Sequence, residues 1–372
     1  MDNWYTLSHP ERVDTPALLV YRDRIAQNID TAIGLAGDPA RLIPHVKTHK
    51  MREIAEMMIA KGIKRFKCAT IAEAEMLAMA GASGVLIAYQ LNGPKIDRYL
   101  ELVKKYPRIA WSSLVDNIES AKALSKAAAQ NGNPPGDRVA VFLDIDNGMH
   151  RTGIPPEAAL ALAKDIRSLG NIRILGLHAY DGHIRDADFE TRAKRSEAAM
   201  EPVRALAHQM VKEGFDEPVI VAGGTPSVTV HARHKDLWIS PGTFVLSDYG
   251  HGSQLKEQHF LPAAVLMTRV VSHPGPGLIT TDLGHKSVAA ENPIDQRIFF
   301  LNLSDYEAVS QSEEHLVVRI KEGQVPNIGD VLYGIPYHVC PSVALHDEAQ
   351  VIVDGEAVAV WPVIARRRKI SV

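Results

Sequence analysis

The sequence predicts an α/β fold, a (β/α)8 TIM barrel followed by a mostly β C-terminal domain. Eight short β-branched runs alternate with segments of helical period as far as about residue 250. Past about Gly252 that period gives way to two-residue alternation and turns. The chemically unusual residues also follow successive runs, which is where a barrel gathers them, on its C-terminal face.

Thr15-Pro16-Ala17-Leu18-Leu19-Val20 reads as a strand opened by a proline-fixed turn. The barrel strands are then Arg41–Val46, Phe66–Ala69, Val85–Tyr89, Ile109–Leu114, Val139–Ile145, Ile174–Ala179, Val219–Ala222 and Trp238–Ser240. Between them, Met51–Met58, Ala72–Leu77 and Ile96–Val103 carry apolar residues three and four apart with charges between, the mark of an amphipathic helix. The residues standing after the strands are His45 and Lys47, Thr70, Gln90, Asp116, Asp146 to Arg151, His178 to His183, Gly223-Gly224-Thr225, and Pro241-Gly242. A doubly wound open sheet is the alternative, disfavoured because no Gly-x-Gly-x-x-Gly turn follows the first strand. Asn131–Gly136 reads as a surface loop. In the second domain, strands are expected over Val265–Val271, Leu278–Asp282, Leu316–Ile320 and Val351–Gly355.

At 372 residues the chain is long enough for about two domains. An apolar fraction of 46% and a charged fraction of 23% exclude disorder as its main theme. The net charge of −3, with both signs mixed along the chain, invites neither nucleic acid nor an anionic membrane. The basic run Arg366-Arg367-Arg368-Lys369 reads as a solvated tail. With only Cys68 and Cys340, a disulfide framework is excluded and a reducing cytoplasm is expected. Neither a signal peptide nor a membrane-spanning segment is visible.

Four clusters could carry chemistry. In Ile43–Lys50, Lys47 is the candidate nucleophile: an ε-amine attacks carbonyls only when neutral, and His45 and His49 stand close enough in sequence to favour that form. An isolated lysine is ordinarily a solvated surface charge, so the case for Lys47 rests on its position after a strand. The Gly223-Gly224-Thr225 turn, late in the barrel, offers close backbone approach to an anion such as phosphate. Arg151, at the end of the fifth strand, is a cation that keeps its proton and would keep a facing ring nitrogen unprotonated. His338 and Cys340, if extended, would point the same way roughly 7 Å apart at Cα and share a divalent ion whose shell water or substrate completes. The thiolate favours zinc, with manganese or magnesium as alternatives.

Pro44–Lys50, Gly148–Gly153, His178–Gly182, Gly223–Thr225, Ser247–Gly250, Asp282–Lys286, Ser312–His315 and Tyr337–Pro341 with Leu345–Asp347 resemble, in order, the D-threonine aldolase and D-serine dehydratase-like family of fold-type III pyridoxal phosphate enzymes. The resemblance runs from about Thr15 to the last residue. It implies an alanine racemase-like barrel over 21–250 and a β-rich domain over 251–372 with residues 1–20 packing on it. It also implies pyridoxal 5'-phosphate on Lys47, Arg151 facing the pyridine nitrogen and Tyr180 beside the cofactor. Gly223, Gly224 and Thr225 would cradle the phosphate with help from Tyr249, and His338 and Cys340 would bind the metal. A homodimer acting on a small D-amino acid is implied as well.

By the same resemblance a D-β-hydroxy amino acid takes the place of Lys47 on the cofactor while the metal engages its hydroxyl. Breaking Cα–Cβ then gives an aldehyde and glycine; losing the hydroxyl gives a 2-oxo acid and ammonia. Cys340 stands where related aldolases often carry aspartate, and Asp186 stands where some place histidine, which favours dehydration of D-serine or D-3-hydroxyaspartate. His178–His183 and His338–His346 are similar to the bacterial D-threonine aldolase branch, and the sequence is read as an aldolase on that basis. A racemase and a non-catalytic carrier of the cofactor are the remoter alternatives.

Overall fold

The computed structural model of the chain describes residues 3–131 and 138–372, so most of the loop expected at Asn131–Gly136 lies outside the described residues. In chain order, β1 (Ala17–Tyr21) runs into α1 (Arg22–Ala36). Then come α2 (Arg52–Ala60), β2 (Arg65–Cys68), α3 (Ile71–Met79), β3 (Gly84–Gln90), α4 (Pro94–Lys105), β4 (Ala110–Val115), α5 (Ile118–Gln130), β5 (Val139–Ile145), α6 (Pro156–Arg167), β6 (Ile172–Ala179), α7 (Phe189–Lys212), β7 (Val219–Ala222), α8 (Val228–His231) and β8 (Leu237–Ile239). The remainder holds α9 (Tyr249–Gln254), β9 (Ala264–Gly275), β10 (Leu278–Thr281), β11 (Ile298–Phe300), β12 (Tyr306–Gln311), β13 (Leu316–Ile320), β14 (Val331–Pro336), α10 (Val339–Val343), β15 (Glu348–Val353) and β16 (Glu356–Pro362). The chain divides into two compact units: a barrel unit of Ala32–Lys47, Ala55–Gly242 and Arg367–Val372, and a β-rich unit of Met1–Thr31, Thr48–Ile54 and Thr243–Arg366.

In the barrel unit, β2 to β8 lie side by side in sequence order and all parallel. The gap between β8 and β2 is closed by the segment before Lys47, through parallel bridges from Leu42 to Ile239 and from His45 to Lys67. The first expected barrel strand is therefore two bridges and not a continuous ladder. Pro44 sits between them and has no N–H to donate, although its carbonyl accepts from Lys67 N at 2.9 Å. Ile43, Leu86, Leu114, Phe142 and Val221 fill the interior, with Trp238 packed against them. Each such side chain taken from water stabilises the barrel by about 1.5–3 kcal/mol. On the outside, α4 buries Ile96, Tyr99, Leu100 and Leu102, one stripe at helical spacing.

The β-rich unit is a branched sheet in the order β12-β13-β10-β9-β1-β15-β16, with β14 pairing β9 and β11. Its organiser is the long β9. The first half of β9 pairs antiparallel with β1 and β14, and its second half with β10. All five residues of β1 are buried, as an apolar central strand covered on both faces requires. Leu19, Tyr21, Val265, Met267, Tyr333 and Ile335 belong to the core of this unit. Among the described residues no helix is long and apolar enough to cross a membrane.

Candidate active site

Within the barrel unit, Tyr180 follows β6 and three cations face its ring. Lys47 Nζ lies 5.7 Å, Lys67 Nζ 5.4 Å and Arg151 Cζ 4.9 Å from the centroid. Distances of this size are cation–π contacts, and they bring the candidate nucleophile and the candidate guanidinium to one aromatic ring. Arg151 is presented by a loop that Asp146 folds. The Asp146 Oδ1 atom accepts from Gly148 N at 3.1 Å and His150 N at 2.9 Å, while Oδ2 meets His150 Nδ1 at 2.8 Å.

Behind the ring the ends of β5 and β6 carry a buried pair, with His178 Nδ1 2.8 Å from Asp144 Oδ1. Asp144 Oδ2 also accepts from Gln90 Nε2 and Thr152 Oγ1, each at 2.8 Å. Burial pushes the Asp144 carboxyl up, but the bond and charge of His178, with Thr152 and Gln90, bring it below the ordinary carboxylate value. Burial and then the Lys67 charge push His178 down, against the pull of Asp144. Lys67 itself donates to Ser240 Oγ at 2.5 Å and lies 3.4 Å from His178 Nε2.

The glycine turn is locked from below. Gly223 has a φ of +69°, and a Cβ there would come within 2.4 Å of His231 Cδ2, so only glycine fits. Ser240 Oγ donates to Gly223 O at 2.8 Å, and Thr225 Oγ1 accepts from Gly242 N at 3.0 Å. Asp181 is fully buried, accepting from Ser227 Oγ and facing His231 Nε2, both at 2.7 Å. A Cβ on Gly224 would reach 3.0 Å from Tyr180 Cε2, so the turn runs directly beside the ring.

In the β-rich unit, the expectation of an extended His338-x-Cys340 is corrected. The strand β14 stops at Pro336, and His338 is the N-cap of α10, whose first turn contains Cys340. Proline is tolerated in that first turn, so Pro341 does not break it. The imidazole and thiol still meet. Their mutual hydrogen bond is the largest influence on His338, raising it to about 9, and Glu291 Oε1 at 2.5 Å from Nδ1 adds to it. Burial pushes the Cys340 thiol up, yet the His338 bond and charge carry it below its ordinary value, with Thr48 Oγ1 3.2 Å from Sγ. Among the described residues no group of three or more His, Cys, Asp or Glu side chains is arranged to hold a metal. Asp248, which accepts from Val339 N at 3.1 Å and from His251 N at 2.9 Å, joins α9 to α10. Tyr249 stacks on Phe299 at 4.1 Å and tilts against Tyr337 at 4.7 Å.

Two sequence expectations resolve differently at the side-chain level. His49 is no cationic neighbour: burial drives it to about 3, and its Nδ1 accepts from Met51 N at 3.1 Å. The cations that gather at Tyr180 with Lys47 are Lys67 and Arg151. Thr70 is a helix cap, its hydroxyl accepting from Glu73 N. Lys67 and His231 went unnoticed in sequence, as did the pairing of Asp144 with His178 and of Asp181 with His231. The available signal was a lysine at an inward-facing position of a barrel strand, between the outward Phe66 and Cys68.

Residues 20–249 match the family described as alanine racemase, N-terminal domain, and residues 263–352 match the putative serine dehydratase domain. The chain is 32% identical to the D-threonine aldolase of Arthrobacter sp over 366 residues, 95% of this chain and 93% of the relative. It is 29% identical to the 3-hydroxy-D-aspartate aldolase of Paracoccus denitrificans strain Pd 1222 over 371 residues, 95% and 92% of the two chains. The crystal structure of D-threonine aldolase from Filomicrobium marinum superposes with a TM-score of 0.85 at 26% identity, covering 95% of each chain.

Proposed function

We propose that this chain, which belongs to the family of pyridoxal phosphate-dependent lyases that join an alanine racemase N-terminal domain to a serine dehydratase domain, is a D-threonine aldolase cleaving D-threonine to glycine and acetaldehyde. The observation that carries the reading is the gathering of Lys47, Arg151 and the glycine turn around Tyr180. The names of the Arthrobacter and Filomicrobium proteins support aldol cleavage.

The cofactor that the family implies, pyridoxal 5'-phosphate, supplies an aldehyde for an amine and an electron sink for the bond that breaks. The residues fit it. A glycine without Cβ lies beside the aromatic ring, and both polar atoms of the buried Asn147 side chain and His231 Nδ1 have no hydrogen-bond partner among the described residues. In this reading Lys47 is the amine that holds the aldehyde and later moves the proton at Cα. Arg151 keeps its charge against the pyridine nitrogen, and Gly223, Gly224 and Thr225 receive the phosphate, with Tyr249 assisting. His338 and Cys340 offer an imidazole and a thiolate to a divalent ion, zinc, manganese or magnesium, finished by water. When bound, that ion supplies a Lewis acid for the hydroxyl oxygen of the substrate.

Dehydration of D-serine or D-3-hydroxyaspartate is the second reading, favoured by Cys340 and by the serine dehydratase match. The deciding experiment supplies the protein with cofactor and each divalent ion, adds D-threonine or D-serine, and assays aldehyde, glycine, 2-oxo acid and ammonia separately. Acetaldehyde with equimolar glycine is the expected result; 2-oxo acid with ammonia instead would replace the aldolase by a dehydratase. The reading includes a cytoplasmic homodimer. Light scattering on the eluting protein measures the dimer, and a monomer at micromolar concentration would remove it.

A further inference from the structure

We propose that Glu291 is a positioning residue for the ion at His338 and Cys340: its carboxylate holds the imidazole proton on Nδ1 and leaves Nε2 of His338 as the nitrogen that binds. The inference rests on the reading of His338 and Cys340 as metal ligands and adds to them a residue that does not itself touch the ion.

His338 stands between β14 and α10 in the β-rich unit, with Nδ1 2.5 Å from Glu291 Oε1. A neutral imidazole carries one ring proton and an ionised carboxylate can only accept, so the proton stays on Nδ1 and Nε2 keeps a free lone pair. Histidines that ligate metals almost always give their second ring N–H to a carboxylate, a carbonyl or water, which fixes the orientation of the ring. The carboxylate next in reach is already engaged. Asp248 faces His251 Nδ1 through Oδ1 at 2.6 Å and accepts from Val339 N through Oδ2 at 3.1 Å.

Glu291 and His338 are both about half-exposed, and an isolated pair of that kind would contribute little. What distinguishes this one is that the backbone on both sides of Glu291 is bonded to the residues around His338. Glu291 lies in the segment between β10 and β11. Before it, Ala289 N donates to Ser342 Oγ at 3.1 Å, and that hydroxyl donates to His338 O at 2.9 Å. His346 Nε2 donates to Ser287 O at 2.8 Å, a second tie from just past α10. After it, Arg297 Nε donates to Asn292 O at 2.9 Å, while Arg297 O accepts from Tyr337 N, next to His338, at 3.1 Å. The acceptor is therefore fixed relative to the ring before any ion arrives, which is what a positioning residue requires.

The test takes the full-length protein loaded with pyridoxal phosphate and stripped of metal by a chelator, and titrates it with zinc in a calorimeter, for wild type and Glu291→Met. Long-range proton–nitrogen spectra of the zinc-loaded wild type, labelled in its histidine rings, read which nitrogen of His338 carries the proton. His338→Ala identifies that ring by the signals it removes. The expected spectrum has the proton on Nδ1 and zinc on Nε2, and Glu291→Met is expected to bind zinc about 10–100-fold more weakly. The unfolding midpoint of the ion-free variant should stay at the wild-type value, because an exposed pair adds little to the fold itself. A proton on Nε2 overturns the proposal. So does a variant that binds zinc as tightly as wild type, which would leave the contact as a fastening of the loop alone. If Glu291→Met does not fold, the wild-type spectrum decides. Wild type that takes up no zinc removes the reading of His338 and Cys340 as ligands, an outcome separate from the others.

Discussion

Arg151 and Lys67 at Tyr180 differ in one respect: a guanidinium keeps its proton at neutral pH, while burial and the Lys47 charge bring the Lys67 amine down to about 7. Arg151 is accordingly the fixed charge beside the ring. Gly224 tests the turn beside them. In Gly224→Ala the new methyl meets Tyr180 Cε2 at 3.0 Å, so the ring or the turn must shift. A fluorescence titration of the apoprotein should show cofactor affinity weakened about tenfold, roughly 1.4 kcal/mol; unchanged affinity would take the phosphate away from this turn. In the β-rich unit, His338→Ala should lower turnover by about 100-fold or more while leaving the cofactor's absorbance in place, and retained turnover would take the ion out of the reaction. At this scale the sequence announced Lys47, Arg151 and the glycine turn because each stands just past a strand. It did not announce Lys67 or the partners of Asp144 and Asp181, because the partners of these three lie as many as 173 residues away and become neighbours only when the barrel closes.

Helices of the barrel are fastened by polar side chains, and two of these fastenings on α3 make testable statements. Thr70 Oγ1 accepts from Glu73 N at 3.1 Å, and the Glu73 carboxylate accepts from Ala69 N at 2.6 Å. Such a reciprocal cap predicts that Thr70→Ala lowers unfolding stability by about 1 kcal/mol in urea titration, with no change in the cofactor spectrum. On α3, Glu75 accepts from Lys105 Nζ at 2.9 Å, Ser371 N at 2.9 Å and Val372 N at 3.2 Å. Burial pushes this carboxyl up, but its hydrogen bonds from Ser371, Lys105 and Val372 win and hold it at about 2. A carboxyl depressed on folding adds stability above its unfolded value near 4.5, and that stability is lost as pH falls toward 2. Glu75→Gln should therefore be less stable than wild type at pH 7 by about 2–3 kcal/mol, with the gap closing below pH 4.5. A gap that does not change with pH would mean that packing alone is at stake. The barrel elements were legible because apolar period 2 and period 3.6 alternate cleanly along the chain. The short strands β11 and β14 were not, since their pairing partners lie far off in sequence, and β12 and β16 were not, since they are largely exposed although each pairs with its neighbour in the chain. The helix α10 was misread as extended because the Val-x-Pro spacing around Cys340 carries no helical period.

As a whole the molecule is a family scaffold whose two matched regions, 20–249 and 263–352, carry different chemistry: amines and a guanidinium in the first, an imidazole–thiol pair in the second. A barrel by itself permits many reactions, so the function is argued from its residues and from its relatives. The proposed cleavage of D-threonine predicts that turnover requires both the cofactor and a divalent ion; activity that survives chelation would remove the ion from the proposal, and readdition of each ion identifies the one used. The account turns on a single covalent link. Reducing the cofactor-loaded protein with borohydride and mapping its peptides by mass should find the pyridoxyl group on the peptide that carries Lys47, and a group found on Lys67 or any other lysine, or on none, would contradict it.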